Sequence, residues 1–318
     1  MKLAGNTPLI RIDYKLDGKP GSVYAKLEFY NPSGSIKDRV AEYIVEKALE
    51  RGELKPGQPI IEVTSGNTGI AFSALGARDG FPVHIFMPEW MSEERKSLMR
   101  MYGAIIHEVS REDGGFEEGF RRADILAEEI DGFLPKQFDN FDNIQAHVTG
   151  TGPELLKQLP DVTDFVSGIG TGGTLMGTAK ALNADHKVKI TALEPDSIPI
   201  ITTGQRLGPH KIEGIGDDFI PGIVDMSLID DVIDLNDDDA VIMSARLAKE
   251  LGLGVGISSG ANFLVAALTG AEDGRKPATV FTDDNKKYLT TSLSVPPAAK
   301  EGMISTRIEL LGYSLVSR

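Results

Sequence analysis

Four short stretches hold the residue types most able to do chemistry. In "NPSGSIKDR" (31–39), Lys37 follows proline, glycine and two serines at the start of an expected helix. A helix's positive end disfavours an ammonium group, so a lysine held there tends towards a nucleophilic amine; on a surface, the same stretch is a loop running into a helix. In "TSGNTG" (64–69), Thr64, Ser65, Asn67 and Thr68 gather hydroxyls, an amide and backbone N–H groups at a strand-to-helix turn. An ordinary cap needs one such residue, and this arrangement suits a carboxylate. The third stretch, "GIGTGGT" (168–174), is a glycine cup between strand and helix, able to hold a phosphate on backbone amides.

Two of these stretches admit rival chemistries. Gly168, Gly170 and Gly173 fit the G-x-G-x-x-G dinucleotide pattern, and Glu194 follows about 20 residues on, where a ribose-binding acid belongs. That reading makes the protein an NAD-dependent dehydrogenase. The fourth stretch, "GISSG" (256–260), fits the serine-hydrolase elbow with Ser258 as nucleophile. That fold needs a histidine after its serine, and His84, His107, His147, His186 and His210 all precede Ser258. The hydrolase reading fails in the sequence itself.

The elements that must position these stretches alternate along the chain. Short apolar runs at 59–63, 82–87, 104–109, 164–169, 188–195, 230–235 and 278–283 are interleaved with helical segments. Between 115 and 130, Phe116, Phe120, Ala123, Ala127 and Ile130 fall on one helical face. This pattern predicts an α/β fold with mainly parallel sheets. The acidic runs near 229–240 read as solvated helix starts, and a domain boundary is placed near residue 140.

Bulk composition narrows the classes further. The chain has 318 residues, 41% hydrophobic and 25% charged, enough for about two domains. With no cysteine, disulfides, thiolate nucleophiles and cysteine-ligated zinc drop out, and no metal site is expected. A net charge of −14 argues against nucleic acid or an anionic membrane as partner. The N-terminus has no apolar signal core, so a cytoplasmic location is expected.

Taken together, "GNTPLI" (5–10), "NPSGSIKDR", "TSGNTG", "FMPEWMSEERKSLMRMYGA", "TGPEL", "GIGTGGT", "GPHKIEGIGDDFIPG" and "GISSGAN" carry a resemblance. From about residue 5 to 290 the chain resembles the cysteine synthase and cystathionine β-synthase group of fold-type II pyridoxal-phosphate enzymes, most closely the cysteine synthases. The resemblance implies two α/β domains with mainly parallel twisted sheets flanked by helices, as in the tryptophan synthase β subunit. One domain is residues 35–140, with a mobile substrate-cleft subdomain; the other, cofactor-binding, is 1–34 and 141–318. It also implies a homodimer, and leaves open whether a serine acetyltransferase docks.

Residue roles follow from the same resemblance. Lys37 matches the Schiff-base lysine that carries pyridoxal 5'-phosphate and later removes the substrate α-proton. Gly170, Thr171, Gly172, Gly173 and Thr174 match the phosphate cup, Asn67 the partner of the ring hydroxyl, and Ser258 the group facing the pyridine nitrogen. Thr64, Ser65, Gly66, Thr68 and Gln137 match the substrate-carboxylate site. A hydroxyl opposite the nitrogen cannot stabilise a protonated ring, which favours β-elimination over transamination. The implied reaction is β-replacement on an L-serine derivative: O-acetyl-L-serine plus sulfide giving cysteine through an aminoacrylate. The alternative takes serine or cysteine first, forming cystathionine with a thiol or releasing sulfide.

Three departures from the family pattern stand out. Asp217 and Asp218 replace the usual small residues of cysteine synthases, and Asp218 falls where cystathionine synthases carry an acid. It reads either as a group that meets a serine hydroxyl or substrate ammonium, or as a solvated loop acid. "TDDNKKYLTT" (282–291) stands where "PDSGERYLST" is closer to usual. Trp90, the only tryptophan, replaces a small residue, either at the substrate entrance or packed in the core.

Overall fold

The computed structural model describes residues 3–184, 187–217, 219–272 and 274–316. Strands β1 (Leu9–Leu16) and β2 (Lys19–Leu27) form an antiparallel hairpin with Leu16 opposite Lys19. Its two-residue turn, Asp17–Gly18, takes positive φ at both positions (51° and 81°), the type I′ geometry that matches strand twist. Helix α1 (Lys37–Arg51) ends on left-handed Gly52. There follow β3 (Ile60–Val63), α2 (Asn67–Asp79), β4 (Val83–Pro88), α3 (Glu93–Met101), β5 (Ile105–Val109) and α4 (Gly115–Ile130). Next come α5 (Phe141–Ala146), a π-helical turn (His147–Thr151), α6 (Gly152–Gln158), β6 (Asp164–Gly168), α7 (Gly173–Leu182) and β7 (Lys189–Pro195). The chain closes with β8 (Asp231–Leu235), α8 (Asp237–Leu251), α9 (Ile257–Thr269), β9 (Pro277–Phe281), α10 (Ile304–Arg307) and β10 (Ile308–Leu315).

Among the described residues the strands form two sheets. The larger runs β10-β1-β2-β9-β6-β7-β8 and the smaller β3-β4-β5. Every pairing is parallel except those of β1 with β2 and β10. The larger sheet is covered on both faces, and adjacent residues of β6 show it: Val166 joins the core under α8 and α9, and Phe165 the core under α6 and α7. The smaller sheet has α1 and α2 on one face, through Val40, Ile44, Ile70 and Phe72. On the other lies α4, whose predicted stripe packs on Ile61, Val63, Phe86 and Val109. The C-terminal tail adds the antiparallel edge strand β10 to β1.

One expectation needs correction. The acids at 230–231 start no helix; Asp231 begins β8, and Asp230 accepts the Ile190 backbone N–H. The run at 236–239 does start α8, capped by Asn236, but Asp237 and Asp239 are buried. Asp239 accepts from the Ile304 and Ser305 amides and so ties down α10.

Candidate active site

Parallel sheets leave their ligand sites beyond the C-terminal strand ends, where loops lead into helix N-termini. Here the loops after β3, β6 and β9 meet the starts of α1 and α9 around one cleft. Lys37, Thr64, Ser65, Gly66, Asn67, Thr68, Gln137, Gly170, Thr171, Gly172, Thr174 and Ser258 all line it. Gly173 sits behind the lining and begins α7; a Cβ there would lie 2.0 Å from Asn143 Oδ1. Asp218 lies outside the described residues, and its neighbour Asp217 lines the cleft.

Lys37 is the first residue of α1, and its Nζ lies 3.4 Å from Thr171 Oγ1. Burial pulls its amine down to about 8, against the opposing charges of Asp217 and Glu62. Loss of water therefore makes the amine available. Glu62, missed by the sequence reading, sits buried on β3 and is itself pushed up to about 8 by burial. Thr171 is held by the Asn143 amide, whose Nδ2 donates to its hydroxyl at 2.9 Å.

The glycine cup opens onto the N-terminus of α7. Gly172 has φ +87°, and a Cβ on Gly170 would meet the Gly214 carbonyl at 2.2 Å, so backbone alone fits there. Behind the cup, the Thr174 hydroxyl contacts His147 Nε2 at 3.3 Å, and His147 Nδ1 contacts the Thr151 hydroxyl. Burial holds His147 well below the usual imidazole range, so it is neutral at pH 7.

The 64–68 loop is fixed from within. Thr64 Oγ1 accepts the Gly66 N–H, and Thr68 donates to Gln137 Oε1 at 2.7 Å; Gln137 in turn donates to the Val63 carbonyl. Asn67 Nδ2 donates to buried Asp283 at 2.8 Å, while Asn67 Oδ1 is buried without a partner. Gly66 lies against Arg95, and a Cβ there would sit 2.3 Å from Arg95 Cδ. Buried Arg95 comes from α3, pairs with Glu213 across the cleft, and stacks on the Tyr288 ring at 4.6 Å.

Ser258 is the second residue of α9, and its Oγ lies 2.7 Å from Thr282 Oγ1. Trp90 is 40% exposed, stacks under Arg111 at 4.5 Å and lines the outer cleft, which decides against core packing. The dehydrogenase alternative fails on Glu194. Its carboxylate is buried and accepts the amides of Ile201 and Thr202 and the Thr202 hydroxyl, leaving it committed to its own loop.

Sequence reasoning missed Glu62, Arg95, Glu213, Thr282 and Asp283. Arg95 and Glu213 fall in stretches that carry the family resemblance, and Thr282 and Asp283 in the one that departs from it; Glu62 carried no signal.

The residues present fit pyridoxal phosphate. The backbone cup and the α7 N-terminus suit a phosphate, the orphaned Asn67 Oδ1 suits a ring hydroxyl, and Lys37 is a desolvated amine between them. Comparison with known proteins agrees. The family profile described as pyridoxal-phosphate dependent enzyme matches residues 1–283. A cysteine synthase of Staphylococcus aureus is 40% identical over 298 residues, covering 92% of this chain and 95% of the relative. The structure of a hydrogen sulfide-producing enzyme from Fusobacterium nucleatum superposes with a TM-score of 0.94 at 45% identity, covering 99% of this chain and 97% of that one. A cysteine synthase from Entamoeba histolytica gives 0.87 at 35% identity, over 96% and 92% of the two chains.

Proposed function

Because the chain belongs to the pyridoxal-phosphate dependent enzyme family, we propose that it catalyses β-replacement on an L-serine derivative, taking O-acetyl-L-serine and sulfide to cysteine. Pyridoxal phosphate, when bound, supplies an electron sink that labilises the α-proton and the β-substituent of an amino acid. The chain's own residues do the rest. Lys37 would carry the cofactor and then hold the α-proton at Nζ, a task suited to an amine near pH 8. The 64–68 loop would orient the substrate carboxylate on backbone N–H and hydroxyl donors, with Gln137 fixing Thr68. The Gly170–Thr174 cup would hold the phosphate. Ser258, at the positive end of α9, would meet a neutral ring nitrogen.

The observation that carries this reading is Lys37, an amine pulled down by burial, set between a carboxylate loop and a phosphate cup. We read residues 35–140 as one α/β unit carrying a mobile substrate-cleft subdomain, and 1–34 with 141–318 as the cofactor-binding unit; the pairing of Arg95 with Glu213 across the cleft supports a join between them. The resemblance supports a homodimer. Among the described residues, no helix is long and apolar enough to cross a membrane.

Asp217 favours a second reading, in which serine or cysteine is the first substrate. Its carboxylate lines the cleft and acts on Lys37, so it is placed to accept from a serine hydroxyl or to hold a substrate ammonium. The similarity to a sulfide-producing enzyme supports the same branch. Titrating the cofactor-loaded protein with O-acetylserine, serine and cysteine, and following visible absorbance, separates the two. A fast change with O-acetylserine alone, unaltered by Asp217→Asn, supports cysteine synthesis. A response to serine or cysteine that Asp217→Asn removes supports the second reading. No response to any of the three overturns both.

A further inference from the structure

We propose that Thr282 is a positioning residue, the middle of a hydroxyl relay from Ser259 through Thr282 to Ser258 that aims the Ser258 O–H into the cleft. This rests on the reading that Ser258 faces the ring nitrogen of the bound cofactor.

The relay's direction follows from its far end. Ser258 Oγ and Thr282 Oγ1 are 2.7 Å apart, and taken alone either could donate. Ser259, fully buried, bears on the choice: its Oγ accepts the Thr282 backbone N–H at 3.0 Å, which leaves its own hydrogen to point at another oxygen. The hydroxyl oxygen within reach is Thr282 Oγ1, at 3.5 Å. In the direction we propose, Thr282 accepts from Ser259, its proton goes to Ser258, and the Ser258 proton is left for the cleft.

The electrostatics agree. Ser258 sits in the first turn of α9, where the helix end disfavours a protonated ring nitrogen. An unprotonated nitrogen is an acceptor, so a serine presented as donor is what the site requires. Aligned hydroxyls polarise one another, which strengthens the terminal donor. Thr282 stands where the more usual stretch has proline, a residue without a hydroxyl.

The test compares Thr282→Val, Thr282→Ser, Ser258→Ala and the Ser258→Ala/Thr282→Val double variant. The readouts are the visible spectrum of the loaded protein and cofactor affinity, the latter followed by emission of the sole tryptophan, Trp90. Thr282→Val is nearly isosteric; an unfolding midpoint for the cofactor-free variant matching the parent shows that the fold is kept. Thr282→Val is expected to shift the visible band and weaken the cofactor about 2- to 10-fold, the range of one hydrogen bond. Thr282→Ser should restore both, and the double variant should match Ser258→Ala within about 2-fold. An unchanged Thr282→Val beside an altered Ser258→Ala overturns the relay alone, as do effects that multiply in the double variant. If Ser258→Ala changes neither readout, the placement of Ser258 falls and the relay with it.

Discussion

Lys37 and Glu62 titrate towards each other because one shell of protein desolvates both. Glu62 keeps its proton up to about pH 8 in the folded protein, against 4.5 as a free side chain. Between those values the folded state holds the extra proton, so this stability is present at the low end and lost as pH rises to about 8. Lys37 acts in the next window: folded, it releases its proton near 8 instead of 10.5, so stability is regained across that span. Glu62→Gln should remove the first slope. In urea unfolding of the cofactor-free protein, the loss between pH 5 and 8 should shrink by roughly 1–3 kcal/mol. A slope like the parent's would show that Glu62 is not desolvated. The sequence marked Lys37 by its place before a helix; the depressing force comes from burial, which no local pattern reveals.

At the scale of elements, loops at strand ends do the binding and glycine sets how closely they approach. Gly66→Ala would drive a Cβ into Arg95. The expected outcome is at least about a 10-fold rise in the substrate concentration for half-saturation, with cofactor loading and the unfolding midpoint little changed. Unaltered half-saturation would show that Arg95 moves aside at no cost. Gly18→Ala is the counterpart far from the cleft. Its positive φ should cost about 1 kcal/mol of stability and leave turnover unchanged, measured by denaturant unfolding and steady-state rates. Strands β3 to β9 were legible within a residue or two; those buried on both faces, such as β3, β6, β7 and β9, read as mainly apolar runs. The first hairpin was missed although "LIRIDYKL" alternates and Asp-Gly follows it. β10 offers a weaker signal, since Leu311, Tyr313 and Leu315 are exposed apolar residues on an edge strand.

For the whole molecule, the Arg95–Glu213 pair is a contact that spans the cleft, since α3 packs with the smaller sheet and Glu213 lies in the loop between β7 and β8. Glu213→Gln should leave Arg95 buried with a weaker partner and open the cleft. Trp90 at its mouth should then become more accessible to acrylamide, and half-saturation for substrate should rise about 10-fold or more. Unchanged quenching together with unchanged half-saturation would show that the pair does not hold the cleft shut.

The sequence by itself determined the α/β alternation, the exclusion of thiol chemistry, and the lysine, glycine-cup and hydroxyl-loop residues that line the cleft. Each of these is written in local order: apolar periodicity, a missing residue type, or several polar groups within one turn of a strand end. Only the tertiary structure decided that Glu194 is committed to its own loop, that Asp217 lines the cleft, that Trp90 stands at its mouth, and that Thr282 meets Ser258. These depend on side chains far apart in sequence coming within a few ångströms, and on which of them lose their water when they do. Hydrogen-bond partners and desolvation belong to the packed chain.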